Sequence, residues 1–541
     1  MSDAAAPALP PVPRRTLESL GARFGPSYRW LVTVAAMIGT IATILSSTIV
    51  NVALPDVMGA FGIGQDEAQL LSTGFLAAVT GTMLLNAWLV DSFGCRATYA
   101  GSVALFLVGS AVSGLAPNEG LLIAGRILQG ASAGMLQPLA MQIIFQVFPP
   151  EKRGSAMGIY AVGIVLAPAL GPTIGGLMVD NYGWRSVFFL AVPFSLIGLA
   201  MGLVFMPDRA GEGPRRRFDS LGFLLLILAL AALLTGLSSG QQQGWGSKRV
   251  DMELGIALLA ALGFLAWEWR CPAPLLNPRI FLHRGFAGAF AVALVYGACI
   301  FGTTYLLPLF VQTVQGYTAT RAGLVLMPAG LILVAVFPIA GRLADRVPVW
   351  QPIAAGLLLF ALSCWLLRGV HTDTPFWTLA LWILVGRVGL GLAMPSMNAG
   401  ALRALPPRFL GQGAGGINFA RQFGGALGVN LLSIWLERHV ELHAQALTAT
   451  QDGGGAATLD YLRMVQGMLA QEGVPATELL AGSYEYLGRA VQAQAAMLGF
   501  RDGFLAVAVA CLVAVLPALA LRRGRSAESP APGTPLRAGA G

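Results

Sequence analysis

The chain has 541 residues, 56% of them hydrophobic and 11% charged, with a mean hydropathy of +0.69. A soluble globular domain carries about 25% charged residues, so this composition excludes one and points to a polytopic all-α membrane protein. The net charge of +8 is no nucleic-acid signal, because the arginines gather in short loops as the positive-inside rule requires.

A basic segment over residues 1–29 leads into a full-length apolar span, and no cleavable signal peptide is read there. A span needs about 20 mostly apolar residues. About fourteen are expected, near 30–53, 67–90, 97–116, 120–145, 153–178, 185–206, 219–239, 251–269, 286–312, 322–344, 351–369, 376–402, 410–436 and 502–521. Basic residues mark alternate loops (Arg96, Lys152/Arg153, Arg209, Arg270/Arg279, Arg342/Arg346, Arg403/Arg408), which places both termini in the cytoplasm. The order is then an N-terminal six-helix half over 30–206, two inserted helices over 207–270, and a C-terminal six-helix half over 271–522. Within the last, 437–500 reads as a polar extracytoplasmic loop with helical patches at Leu462, Val465 and Leu469, and the tail over 523–541 reads as disordered. Five scattered cysteines (Cys95, Cys271, Cys299, Cys364, Cys511) show neither metal spacing nor a disulfide framework.

The first span ends Ser47-Thr-Ile-Val-Asn51-Val-Ala-Leu-Pro55, with Ser46 just before it. Asn51 reads equally well as a cavity hydrogen-bonder or as helix glue. After the second span stands Ala87-Trp-Leu-Val-Asp91-Ser-Phe-Gly94-Cys-Arg96. A partial copy, Gly341-Arg-Leu-Ala-Asp345-Arg346-Val-Pro348, follows the tenth span, so the chain repeats internally. An aspartate beside basic residues at helix ends suits a gate latch more than a stability element, since surface ion pairs contribute about 0–1 kcal/mol.

Arg126 lies deep in an apolar span, where a charge must face water or a partner. A cavity role and a structural donor to backbone carbonyls both remain open for it. Gln129 and Gln137 follow at helical spacing and are cavity candidates. Residues 163–176 read GIVLAPALGPTIGG inside an uncharged run. Membrane helices tolerate such prolines because neighbours re-satisfy the freed backbone, and Gly171 with Gly175 forms a G-x-x-x-G pair for close helix approach. Further along, Asn418-Phe419-Ala-Arg421-Gln422 places a second cation in an apolar span. Tyr305 and Phe419 are the aromatic residues favoured for a greasy substrate surface.

These motifs together resemble the major facilitator superfamily, in its fourteen-helix drug:proton antiporter branch of EmrB/QacA type, closer to EmrB. The resemblance runs over roughly 30–522. Gly163, Pro168, Gly171, Pro172, Gly175 and Gly176 match the fifth-helix antiporter signature, and Arg126 matches the fourth-helix arginine linked to proton transfer. Pro149–Gly158, Trp184-Arg185, Phe218-Asp219 and Asn418–Gly428 fall where that branch has its other motifs. Ser46 departs from the branch, which usually has an aspartate there. Only Arg96 remains of the first latch's cationic set. The resemblance implies a major facilitator fold and alternating access. It implies export of small amphipathic compounds against protons, with proton coupling and gating at Arg126, Asp91, Asp345 and Arg346. It also implies an inner-membrane permease working with a periplasmic adaptor of EmrA type and an outer-membrane channel. No cofactor, metal or catalytic residue is expected. An exporter of an endogenous lipid or metabolite is the alternative. A membrane enzyme is disfavoured, because none of the four histidines (His283, His371, His439, His443) sits within a span beside a carboxylate.

Overall fold

A computed structural model describes residues 15–209, 217–449, 451 and 455–522. Among the described residues the regular structure is helical. The helices are α1 (Leu17–Phe24), α2 (Tyr28–Phe61), α3 (Gln65–Thr82), α4 (Asn86–Gly114), α5 (Glu119–Val147), α6 (Arg153–Tyr182), α7 (Val192–Phe205) and α8 (Ser220–Gln243). They continue as α9 (Lys248–Arg270), α10 (Arg284–Thr313), α11 (Ala319–Arg346), α12 (Trp350–Leu367), α13 (Phe376–Arg403), α14 (Leu410–Ala449), α15 (Ala456–Gln471) and α16 (Leu479–Ala520). Helices are what a lipid solvent demands, because each one satisfies its own backbone. That solvent also explains the prolines at Pro55, Pro138, Pro308 and Pro395, which sit inside helices without ending them.

Ten segments among the described residues are long and apolar enough to cross a membrane. One of them, Leu70–Gly114, contains both α3 and α4. It is broken at Gly94, whose φ of 86° is non-helical. Helices α5, α6 and α14, at 29, 30 and 40 residues, have the length of spans but lie outside those ten segments. On α8 and α9, Leu224, Leu228, Leu258, Leu259, Leu262 and Leu265 are exposed apolar residues, the surface that a hydrocarbon environment requires.

The described residues over 437–500 are largely helical. Helix α14 runs on to Ala449, α15 follows, and α16 starts at Leu479. Leu462, Val465 and Leu469 are buried along α15, which packs on α16. These three are the helical patches that the sequence offers, and a helix beyond the bilayer needs only one such apolar stripe. The tail over 523–541 lies outside the described residues.

The chain divides into two compact units. One comprises Met1–Pro150, Leu170–Leu224 and Trp267–Leu276, the other Glu151–Ala169, Leu225–Ala266 and Asn277–Gly541. Within the first, α2 packs on α5 and α7, α3 on α5, and α4 on α5 and α7. Within the second, α10 packs on α13 and α16, α11 on α13, and α12 on α13 and α16. The second pattern is the first with α2, α3, α4, α5 and α7 replaced by α10, α11, α12, α13 and α16. The internal repeat seen at Asp91 and Asp345 is therefore a repeat of packing.

Candidate functional site

Arg126 is the most buried cation of the first unit, with 0% exposure. Helix α5 carries it into a layer formed by α2 and α3. Its Nη1 donates to the Ser46 carbonyl (3.3 Å), the Ser46 hydroxyl (3.4 Å) and Gln129 Oε1 (2.9 Å), and its Nε donates to the Leu71 carbonyl (3.4 Å). The guanidinium lies 4.2 Å from the centre of the Phe75 ring, a cation–π contact that gains strength away from water. Gln129 is fixed in turn, since its Nε2 donates to Ser110 Oγ on α4 at 2.9 Å. Arg126 and Gln129, both singled out from sequence, thus belong to one network with Ser46. Further along α5, Gln137 is buried, and Gln142 accepts from Asn86 at 2.9 Å.

The second unit holds a counterpart at Arg387, which the sequence offers as a third cation in an apolar span. Gly125-Arg126-x-x-x-Gly130 on α5 recurs as Gly386-Arg387-x-x-x-Gly391 on α13. Arg387 Nη2 donates to the Thr304 hydroxyl on α10 at 3.1 Å, as Arg126 reaches Ser46 on α2. A Cβ on Gly125 would meet Ser113 Oγ on α4, and one on Gly386 would meet Ser363 Oγ on α12. Both arginines therefore ride on a helix held close to its neighbour by a glycine facing a serine. Aligning the two G-R-x-x-x-G runs was the signal that would have found Arg387's role.

Two aspartates form end-of-helix arrangements, each within one unit. Asp345 accepts from Gly154 N (2.7 Å), Ser155 N (2.8 Å), Ser155 Oγ (2.7 Å) and Arg403 Nη2 (2.7 Å). Its side chain is 8% exposed. A carboxylate that accepts from two adjacent backbone N–H groups at the start of α6 also meets the positive end of that helix. Arg346, expected to be its cation, is exposed, and Arg403 takes that place. At Asp91 the backbone carbonyl accepts from Arg209 Nε at 2.9 Å. Gly94 turns the chain here, and a Cβ on it would stand 2.5 Å from Arg209 N. Arg96 pairs with Asp208 at 3.4 Å. The loop after α7 thus brings a cation, Arg209, that the local motif lacks.

Helix α6 carries the glycine-rich motif. A Cβ on Gly171 would meet Thr48 Oγ1, and one on Gly175 would stand 3.1 Å from Ile49 Cγ2. These glycines let α6 lie against the Ser47–Val52 stretch of α2, within the first unit. Gly163 and Gly176 lie in the same helix. The side chains of Pro168, Pro172 and Asn51 lie outside the described residues.

On α14, Arg421 Nη2 donates to Asn418 Oδ1 (2.8 Å), and Asn418 Nδ2 donates to the Ala414 carbonyl (2.9 Å). Phe419 stacks on Phe423 with centroids 5.5 Å apart, and Gln422 is half-buried beside them. Tyr305 stands apart from this cluster. It hydrogen-bonds Ser433 at 3.2 Å and lines a groove of about 1060 Å³ with Leu436, Glu437, Glu441 and Phe500. Of the substrate-cavity candidates in this unit, the structure therefore joins Asn418 and Arg421 directly and leaves Tyr305 elsewhere.

A helical membrane body with two copies of one packing pattern, and an arginine at equivalent places in each, defines a polytopic transporter. The family model of the Major Facilitator Superfamily matches residues 36–429, and the chain belongs to that family. It is 30% identical over 419 residues to the multidrug export protein EmrB of Escherichia coli, covering 77% of this chain and 82% of that one. It is 28% identical over 492 residues to an MFS-type transporter of Bacillus subtilis, YhcA, covering 90% and 92%. The tetracenomycin C resistance and export protein of Streptomyces glaucescens is 30% identical over 411 residues, 76% of each chain. Among solved structures, the proton:xylose symporter XylE superposes with a TM-score of 0.54 at 16% identity, covering 74% of this chain and 88% of that one. At that identity the likeness shows the fold. The relatives are transporters, not enzymes.

Proposed function

We propose that this chain is a proton-coupled efflux transporter that exports hydrophobic or amphipathic compounds by alternating access. The observation that carries the reading is Arg126, a charge at membrane depth held by acceptors on α2, α3 and α5. An intramembrane charge is costly and marks a transport or coupling path. The export relatives at 30% identity support the direction of transport. In this reading Arg126 serves coupling, and Asp91 and Asp345 serve as latches of the two repeats. Counting α3 and α4 apart and adding α5, α6 and α14 to the apolar segments gives fourteen spans, with both termini cytoplasmic. The chain is then an inner-membrane permease whose helical extension over 437–500 meets a periplasmic adaptor, which connects to an outer-membrane channel. Export of an endogenous lipid or metabolite is the second reading, favoured by no separate observation.

The test is efflux of a lipophilic dye from cells expressing the chain, with and without a protonophore. Efflux that collapses with the proton gradient supports the reading. Dye retention identical to that of cells lacking the chain, across a panel of cations, anions and neutral compounds, sinks it.

A further inference from the structure

Arg126 is fully buried, and its partners among the described residues are electrically neutral: the Ser46 and Leu71 carbonyls, the Ser46 hydroxyl, the Gln129 amide oxygen and the Phe75 ring. Its Nη2, equally buried, has no acceptor among the described residues. Gln129 offers no second acceptor, because its amide nitrogen is committed to Ser110. A guanidinium has five N–H donors and cannot shed its charge. Buried charges are paired as a rule, and one left with dipoles alone is costly.

Two other arginines stand in apolar helices. Arg387 reaches the Thr304 hydroxyl and Arg421 the Asn418 amide oxygen. Asp56, Asp91, Asp345 and Glu268, by contrast, lie toward helix ends. An aspartate at position 46 would neutralise Arg126 from within, since the serine hydroxyl already stands 3.4 Å from Nη1. Serine leaves the charge open.

We propose that the missing anion is supplied by the transported compound. Arg126 receives a carboxylate or sulfonate group, and the substrates are amphipathic anions. This rests on the exporter reading above and narrows it. Phe75 covers the flat face of the guanidinium, and with Nη1 and Nε already donating to Ser46, Gln129 and Leu71, Nη2 is the donor left for an anionic acceptor. An anion leaving the cell also travels with the membrane potential, which suits a chain without an aspartate at position 46.

Two fluorescent probes with the same ring system separate charge from greasiness: anilinonaphthalene sulfonate and its uncharged parent, N-phenylnaphthylamine. Each is loaded into proteoliposomes holding the full chain, with and without chloride. The parent chain is expected to move the sulfonate roughly ten- to hundred-fold faster than the neutral probe, the range for a hydrogen bond to a charged group. Ser46→Asp should erase that preference while still moving the neutral probe, and Ser46→Asn should keep it. Should Ser46→Asp fail to fold, Gln129→Glu places a carboxylate at the other Nη1 contact and should erase the preference equally.

Equal rates for the two probes, or a sulfonate preference untouched by either acidic variant, would overturn the proposal while leaving the exporter reading in place. So would chloride stimulating the neutral probe with no preference for the sulfonate, which would assign the site to an inorganic anion. Absence of transport for both probes and for a lipophilic cation would overturn both.

Discussion

Arg126 and Asp345 bear charge in opposite ways, and each predicts a distinct failure. Arg126→Lys keeps the charge but replaces a planar fork with a point donor. The lysine cannot serve Ser46, Gln129 and Leu71 together, so transport should fall at least about ten-fold, one charged hydrogen bond's worth. Efflux measured at matched expression checks this, and full efflux in the lysine variant refutes the role. Asp345 is held by four donors, two of them backbone N–H groups. Asp345→Asn turns an amide toward some of those donors and leaves them unpaired, at about 1–3 kcal/mol each. Thermal unfolding of the purified protein should shift downward, and Arg403→Gln should reproduce only part of the shift. The sequence displayed Arg126 and Asp345 openly, because a charge in an apolar run or a short motif is a local pattern. It concealed Arg403, which lies 58 residues from Asp345, because ion-pair partners across helices leave no spacing to read.

The glycines decide what the helices do. Gly94 has φ of 86° and the backbone of Arg209 beside it, so even a methyl group is excluded twice, by conformation and by space. Gly94→Ala should therefore lower the yield of folded protein. Gly175 is a milder case. Its neighbour Ile49 leaves room for little more than hydrogen, and a leucine would wedge α6 away from α2. Gly175→Leu should insert and express while losing most of its efflux, because close approach of small residues is what membrane helices pack with. Normal efflux in that variant would remove the packing role assigned to this face. At this scale the spans were legible, since twenty apolar residues announce a membrane helix whatever its tertiary setting. Over 437–500 the stripe at Leu462, Val465 and Leu469 was legible, but the helix bounds were not, because an apolar stripe of one residue in three or four does not mark where a polar helix starts or stops.

For the whole molecule, the repeat is the organising fact, and it bears on topology. Six-helix units that share a packing pattern and are to share one orientation in the bilayer require an even number of spans inserted between them. Helices α8 and α9 meet that requirement as a pair of membrane crossings. With the arginine-rich loops inside, the turn between α15 and α16 then falls on the far side of the membrane from both termini. Glu472 caps the end of α15 and is exposed, so a cysteine there disturbs no packing. Glu472→Cys in intact spheroplasts should react with an impermeant maleimide, while the parent chain, whose cysteines at 95, 299, 364 and 511 are buried, sets the background. A cysteine replacing Arg408, on the short helix before α14, should stay unlabelled until the membrane is opened. If position 472 is protected and position 408 labelled, the orientation is reversed and the adaptor docking proposed above fails. If both react before lysis, the span count between them is wrong, and the pairing of α14 with α16 as crossings fails with it.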